Sequence, residues 1–129
     1  NELLLQYQKA FVDKMLSISL QYGNVLYCID NETKGTEEWA IFWADYVKCK
    51  AGEKEIYITQ MWDDWDVKSE MHKRTINNPD RYSYIDISQN SQTPGHDNWE
   101  NAQYVFNYIS KKQTLLLPVV EIYFPEILL

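Results

Sequence analysis

The sequence predicts an α/β protein in which parallel strands alternate with helices, and three observations carry that prediction. Four runs suited to strands begin near residues 24, 55, 84 and 118, about 30 residues apart, which is the length of a strand–helix–strand unit. A helix-like segment separates each pair, and such alternation implies right-handed crossovers and a parallel sheet. Each of the first three strands also runs into polar residues: Asp30-Asn31-Glu32, Trp62-Asp63-Asp64-Trp65-Asp66 and Gln89-Asn90. The carboxyl ends of parallel strands are where such folds keep their chemistry. The regularity is architectural, with no repeat of residue identity.

Over residues 3–22, apolar side chains fall at Leu4, Tyr7, Phe11, Met15, Ile18 and Tyr22, spacings of three and four that describe one helix face. Gly23 supplies a stop, and residues 24–30 form the first strand, nearly all apolar as befits a strand covered on both faces. A second helix begins near Thr36, with Glu37 and Glu38 in the first turn, where negative charge suits the dipole. Trp39, Phe42, Trp43, Tyr46 and Val47 make its expected buried stripe. Residues 55–61 are a second strand and 67–76 a short helix, broken by Asn77-Asn78-Pro79-Asp80. Residues 84–88 make a third strand and 89–95 a polar loop. Asp97 or Asn98 then caps a helix whose inner side carries Trp99, Ala102, Val105, Phe106 and Ile109. The apolar run 115–124 contains the fourth strand.

Composition narrows the partners. Acidic residues outnumber basic ones 19 to 12, for a net charge of −7, which argues against a phosphate-backbone ligand and so against nucleic acid. No run approaches the roughly 18 apolar residues of a membrane span, and no glycine-rich phosphate loop follows a strand. Aromatics make up 15% of the chain, with five Trp and ten Tyr. Flat rings beside carboxylates suit a neutral carbohydrate, because rings cover apolar C–H faces while carboxylates accept bonds from hydroxyls. Cys28 and Cys49 lack metal spacing and are expected as buried free thiols, the alternative being a disulfide. His72 and His96 are the only histidines and form no zinc set; His72 reads as a surface helix residue. No cofactor and no metal is expected. Calcium on Asp63, Asp64 and Asp66 is a minor alternative, since a calcium loop's Gly and distal Glu are missing.

Asn31-Glu32 closing an apolar strand after a helix resembles the fourth strand of clan A glycoside hydrolases. More closely, residues 24–32, Met61-Trp62-Asp63-Asp64-Trp65-Asp66 and Asp86-Ile87-Ser88-Gln89-Asn90 look like a family of secreted Bacteroidetes-type proteins with a glycoside-hydrolase-like barrel, some carrying a collagen-binding domain. The resemblance covers residues from about 11 to about 111. It implies a partial (β/α)8 TIM barrel, strands four to seven, as a single domain over residues 1–129. A complete barrel usually takes about 250 residues, so the expectation is a piece truncated at both ends whose partner is the rest of the parent barrel. A small doubly wound sandwich is the alternative, with its ligand at the same strand ends. The resemblance also implies a secreted, periplasmic or cell-surface location.

Cleaving a glycosidic bond takes one carboxylic acid that protonates the departing oxygen and a second carboxylate across the sugar. The resemblance assigns the first role, general acid/base, to Glu32, which needs apolar walls or a neighbouring carboxylate such as Asp30 to hold its proton. A helix-entry Glu without chemistry is the plainer alternative. Asn31 would orient a ring hydroxyl, though Asn after a strand is also a good turn former. Gln60, Trp62, Asp63, Asp64, Trp65, Asn90 and His96 complete the expected substrate-binding set, with Gln89 on the same polar rim. A solvated loop pinned by one buried Trp is the plainer account of residues 62–66. The resemblance departs at the nucleophile, a Glu that should close strand seven: Glu121 lies in mid-strand, Glu126 follows Pro125, and neither can be assigned. The isolated chain would then be inactive. A non-catalytic carbohydrate-binding or surface protein on the same scaffold is the alternative function.

Overall fold

In the computed structural model, residues 1–88, 90, 96–111 and 117–119 are described, the last three and residues 96 and 97 by their backbone alone. The chain is a mixed α/β unit with a small parallel sheet. Its elements run α1 (Glu2–Ser19), β1 (Leu26–Cys28), α2 (Glu37–Ala51), β2 (Tyr57–Thr59), α3 (Glu70–Ile76), β3 (Tyr84–Asp86), α4 (His96–Lys111) and β4 (Leu117–Val119). All four expected strands are present, each trimmed to a three-residue ladder.

Local chemistry starts and stops the helices. Asn1 Oδ1 accepts from the backbone N–H of Leu3 at 3.1 Å, opening α1. Thr36 Oγ1 accepts from Trp39 N at 3.3 Å and Ser69 Oγ from His72 N at 3.4 Å, so α2 and α3 have side-chain N-caps that satisfy amides with no helical partner. Helix α2 ends at Gly52, whose φ of 62° is a conformation that only glycine adopts without strain. Gly23 is not the stop of α1. Leu20 closes that helix by donating to Leu16 O, and two turn bonds carry the chain onward.

β1 and β2 pair in parallel, Leu26 with Tyr57 through Cys28 with Thr59, and β3 pairs with β4, Tyr84 with Leu117 through Asp86 with Val119. Ser83 joins the two pairs: its N–H donates to Ile58 O at 2.8 Å, and its hydroxyl accepts from Ile58 N–H at 3.2 Å. Tyr27, Ile58 and Tyr82 pack with Leu16 of α1 and Ala44 and Val47 of α2. Ile85 and Ile87 pack with Val67, Ile76 of α3, and Val105 and Ile109 of α4. Helix-on-sheet burial of this kind is worth about 1.5–3 kcal/mol for each enclosed aliphatic side chain.

The expected helix faces need correction. On α1 the entire predicted stripe lies in water, from Met15 at 41% exposed to Phe11 at 71%, while Leu16, outside the stripe, is buried. On α2 the buried residues are Ala40, Trp43, Ala44, Val47 and Ala51, and Trp39 and Phe42 are exposed. On α4, Val105 and Ile109 are buried as expected, but Trp99 and Phe106 face solvent. On α1 and α4 aliphatic residues are buried and the large rings lie exposed, whereas α2 buries Trp43 along with its alanines.

Candidate functional site

The β1 chain opens a bulge where the polar residues begin. Ile29 N–H donates to Thr59 O and Met61 N–H to Asp30 O; pairing then resumes with Thr33 N–H on Met61 O and Asp63 N–H on Thr33 O. Five steps from Cys28 to Thr33 face only three from Thr59 to Trp62, so Asn31 and Glu32 are pushed out of the ladder. Both are exposed. Glu32 has φ +48°, the one non-glycine residue among those described with a positive φ. A left-handed backbone costs an L-residue about 1–2 kcal/mol, and Glu lacks the short side chain by which Asn or Asp offsets it. Asp30 Oδ1 accepts from Asn31 N–H at 3.0 Å and steadies the entry to the bulge.

The 62–66 segment folds back on itself beside this bulge. Lys34 Nζ lies 3.0 Å from Asp63 Oδ2, tying the two loops together through exposed groups. Asp64 Oδ1 accepts from Asp66 N–H and Asp66 Oδ1 from Lys68 N–H, each at 2.9 Å, two successive Asx turns that occupy these carboxylates with backbone. The Asp64 carbonyl accepts from His72 Nε2–H at 2.8 Å and from Asn90 Nδ2 at 2.8 Å, and Asn90 Nδ2 also reaches the Trp65 carbonyl at 2.8 Å. Because a carbonyl only accepts, the shared bond requires the His72 proton on Nε2. Asn101 in turn donates to Asn90 O at 2.8 Å.

The clamp changes two expectations. His72, expected on the surface, is 2% exposed, because α3 turns it under the loop to satisfy carbonyls that burial would otherwise leave unpaired. Asn90, expected at the substrate rim, is 7% exposed with its amino group spent on backbone. Trp62 is fully enclosed: its Nε1–H donates to Thr75 Oγ1 at 2.9 Å and the Arg74 guanidinium covers its ring at 5.3 Å. In that position it offers no ring face to a ligand. Trp65 is 82% exposed, and it is the ring this loop presents to solvent.

Gln60 is 2% exposed at the end of β2, and both its amide atoms lack a hydrogen-bond partner among the described residues, as does the hydroxyl of neighbouring Thr59. Buried polar atoms left in this state are uncommon and mark places that a ligand or water can satisfy. Across the sheet, Asp86 Oδ1 accepts from Ser88 N–H at 2.9 Å and Ser88 Oγ at 2.6 Å. Burial pushes the phenol of Tyr84 well above its ordinary range, keeping it a neutral donor. The carboxylates of this end thus divide: Asp64, Asp66 and Asp86 hold backbone, Asp63 faces a lysine, and Glu32 has no partner among the described residues. The side chain of His96, the residues Gln89, Glu121 and Glu126, and nearly all of the 89–95 loop lie outside the described residues.

The cysteines are free thiols as expected, but both are exposed, Cys28 with its Sγ–H on Asp30 O at 2.9 Å. Among the described residues no three His, Cys, Asp or Glu converge on a metal position, and no helix is long and apolar enough to cross a membrane. Sequence reasoning missed His72, Thr75 and Asn101; the polar positions at three- to four-residue spacing within otherwise buried helix faces were the available signal. Comparison with protein-family models, with curated proteins and with solved structures finds no match to this chain.

Proposed function

We propose that this chain is a four-unit part of a (β/α)8 barrel, about strands four to seven, whose whole protein hydrolyses glycosidic bonds in a secreted or cell-surface setting. Glu32 is the general acid/base and Asn31 orients a sugar hydroxyl. The observation that supports this most is the Glu32 backbone, which stands at a strand's carboxyl end on a bulge held in a left-handed conformation. Strain kept at one surface residue asks for a reason, and positioning a reacting group is a common one. Gln60 supplies buried amide atoms toward the same end, and Trp65 an exposed ring for an apolar sugar face.

The test is Glu32→Gln in the whole protein carrying these residues. Sugar binding should persist, and turnover of natural polysaccharide should fall about 10²–10⁴-fold, the usual share of proton donation. Aryl glycosides with good leaving groups should lose less in the bond-cleaving step. Hydrolysis at the wild-type rate removes Glu32 from the acid role. Glu32→Gly should meanwhile stabilise the fold by about 0.5–1 kcal/mol, as relief of the left-handed strain outweighs glycine's added chain entropy.

A non-catalytic carbohydrate-binding role is the second reading, favoured by Trp65. An 82% exposed ring on a loop clamped by His72 and Asn90 is a preformed stacking platform, which binding needs and proton transfer does not. Trp65→Ala should then abolish retention on a polysaccharide column, and Glu32→Gln should leave it unchanged.

A further inference from the structure

The Asn31-Glu32 bulge is fixed at both ends, and the two ends differ in kind. Before it, Leu26, Tyr27 and Cys28 sit in the continuous ladder with β2. After it, the chain is caught only by the isolated Thr33–Trp62 bridge, through Thr33 N–H on Met61 O and Asp63 N–H on Thr33 O. While both ends hold, five steps of one chain span three of the other, and the left-handed turn at Glu32 is the outcome. If the bridge lets go, the segment is free to extend, and Glu32 returns to the negative φ that an L-residue prefers. A strained conformation persists only where its surroundings over-determine it, so something outside the ladder has to hold this single bridge shut.

One side chain of α3 reaches both sides of the bridge. The Arg74 guanidinium covers the Trp62 ring at 5.3 Å, and its Nε lies 3.6 Å from Glu37 Oε2 in the first turn of α2. Trp62 is one member of the bridge, and Glu37 comes four residues after Thr33, the other member. The ion pair alone is weak, because both side chains are more than a third exposed and solvent screens them. The lid over Trp62 is the stronger part. That indole is 0% exposed with its Nε1–H on Thr75 Oγ1, and a planar guanidinium stacks on an aromatic face in a way an ammonium does not. Lys34 and Asp63 also cross the bridge, 3.0 Å apart, but the Lys34 side chain is 72% exposed.

We propose that Arg74 is the positioning residue of this site: it staples the Thr33–Trp62 bridge shut and so keeps Asn31 and Glu32 on the left-handed bulge. Its effect on turnover rests on the reading of Glu32 as general acid/base. Its effect on the backbone does not.

The experiment uses the whole protein carrying these residues, with Arg74→Ala, Arg74→Lys, Glu37→Gln and Lys34→Ala. The ¹³Cα and ¹³Cβ shifts of Glu32 read its φ, and amide exchange at Thr33 and Asp63 reads the bridge. In Arg74→Ala the Glu32 shifts should leave left-handed values. Thr33 and Asp63 should exchange at least about tenfold faster, the mark of a local opening, while Ile58 and the middle of α2 stay unchanged. Arg74→Lys and Glu37→Gln should move both readouts the same way but less, and Lys34→Ala hardly at all. The rise in urea midpoint expected of Glu32→Gly should disappear in the Arg74→Ala background, where no left-handed strain is left to relieve. Wild-type shifts and exchange in Arg74→Ala, equal effects of Lys34→Ala, or uniform quickening through β2 and α2 each overturns the proposal. Should Arg74→Ala not fold, Arg74→Lys and Glu37→Gln decide it by the same readouts.

On natural polysaccharide, Arg74→Ala should lower kcat about 10–100-fold with KM within about twofold, the pattern of a misplaced reacting group. Added to Glu32→Gln, it should cost nothing further. Wild-type turnover in Arg74→Ala, where Glu32→Gln is impaired, overturns the positioning role. If Glu32→Gln itself turns over at the wild-type rate, the hydrolase reading fails, and the shifts and exchange alone decide for or against Arg74.

Discussion

Helices α1 and α2 flank the same strand, and the same kind of sequence has opposite fates in them. α2 buries five of its 15 residues, three of them alanines that let the helix come close to the sheet. α1 buries Leu16 alone of its 18 residues and turns its aromatic stripe outward. Both stripes are equally plain as periodicity. The difference is in their neighbours: α2 sits between β1 and β2 with sheet beneath it, whereas α1 lies over β1, whose other edge has no strand beside it among the described residues. An apolar stripe therefore states that a face must be covered; it does not state by what.

Breaking the comparison most directly, Trp62→Ala should lose about 3–5 kcal/mol in urea unfolding, because it empties a fully enclosed indole site and orphans the Thr75 hydroxyl. Phe11→Ala should change stability by no more than about 0.5 kcal/mol. Equal losses would mean that α1 is covered in solution.

His72→Ala comes next. It opens a cavity and deprives the Asp64 carbonyl of a buried donor, so about 2–3 kcal/mol should be lost. Amide exchange should quicken in residues 62–66 before it does in α2. Uniform quickening would show that the clamp belongs to the general core and not to the loop.

Caps give a smaller contrast. Thr36→Ala should destabilise by about 1 kcal/mol, since α2 is anchored to the sheet and its cap is part of the folded unit. Asn1→Ala should cost only a few tenths, as a fraying turn of α1 carries no core residue with it. A larger effect at Asn1 would contradict the loose packing of α1.

The smallest effect joins the two helices. Asp13 is held below its ordinary 3.8 first by the hydrogen bond from Lys50 and then by that from Tyr46. A carboxyl lowered in the folded state adds stability above its ordinary value, and that stability is lost as pH falls through the lowered one. Asp13→Asn should thus make the melting temperature slightly less sensitive to acid between about pH 5 and about pH 2. Both partners are solvent-exposed, so salt should weaken the effect. Superimposable pH profiles would leave the tie with no energetic role.

Much of the fold was legible because its signals are local. Thr36 before two glutamates, strand runs about 30 residues apart and the breaker at Asn77 act within a turn of chain, and the observed elements start and stop beside them. The site was legible only in part. Asn31 and Glu32 stand exposed where a strand-end motif puts them, and Gln60 is at the same end. Trp62 and Trp65 are identical in kind and three residues apart, yet one is sealed under Arg74 and the other faces water. No residue-level pattern separates them. Which ring is buried depends on the loop reversing through two Asx turns and on His72 and Asn90 arriving from other elements to hold it.

The sequence by itself determined the order of helices and strands, the acidic balance and the polar strand ends, because period, capping chemistry and charge are properties of near neighbours on the chain. Only the tertiary structure decided which side of α1 meets the sheet, that His72 is a buried clamp, and that Glu32 sits on a left-handed bulge. Each of these depends on residues brought together from different elements. The bulge itself exists because β1 uses five steps where β2 uses three, a mismatch that neither strand carries alone.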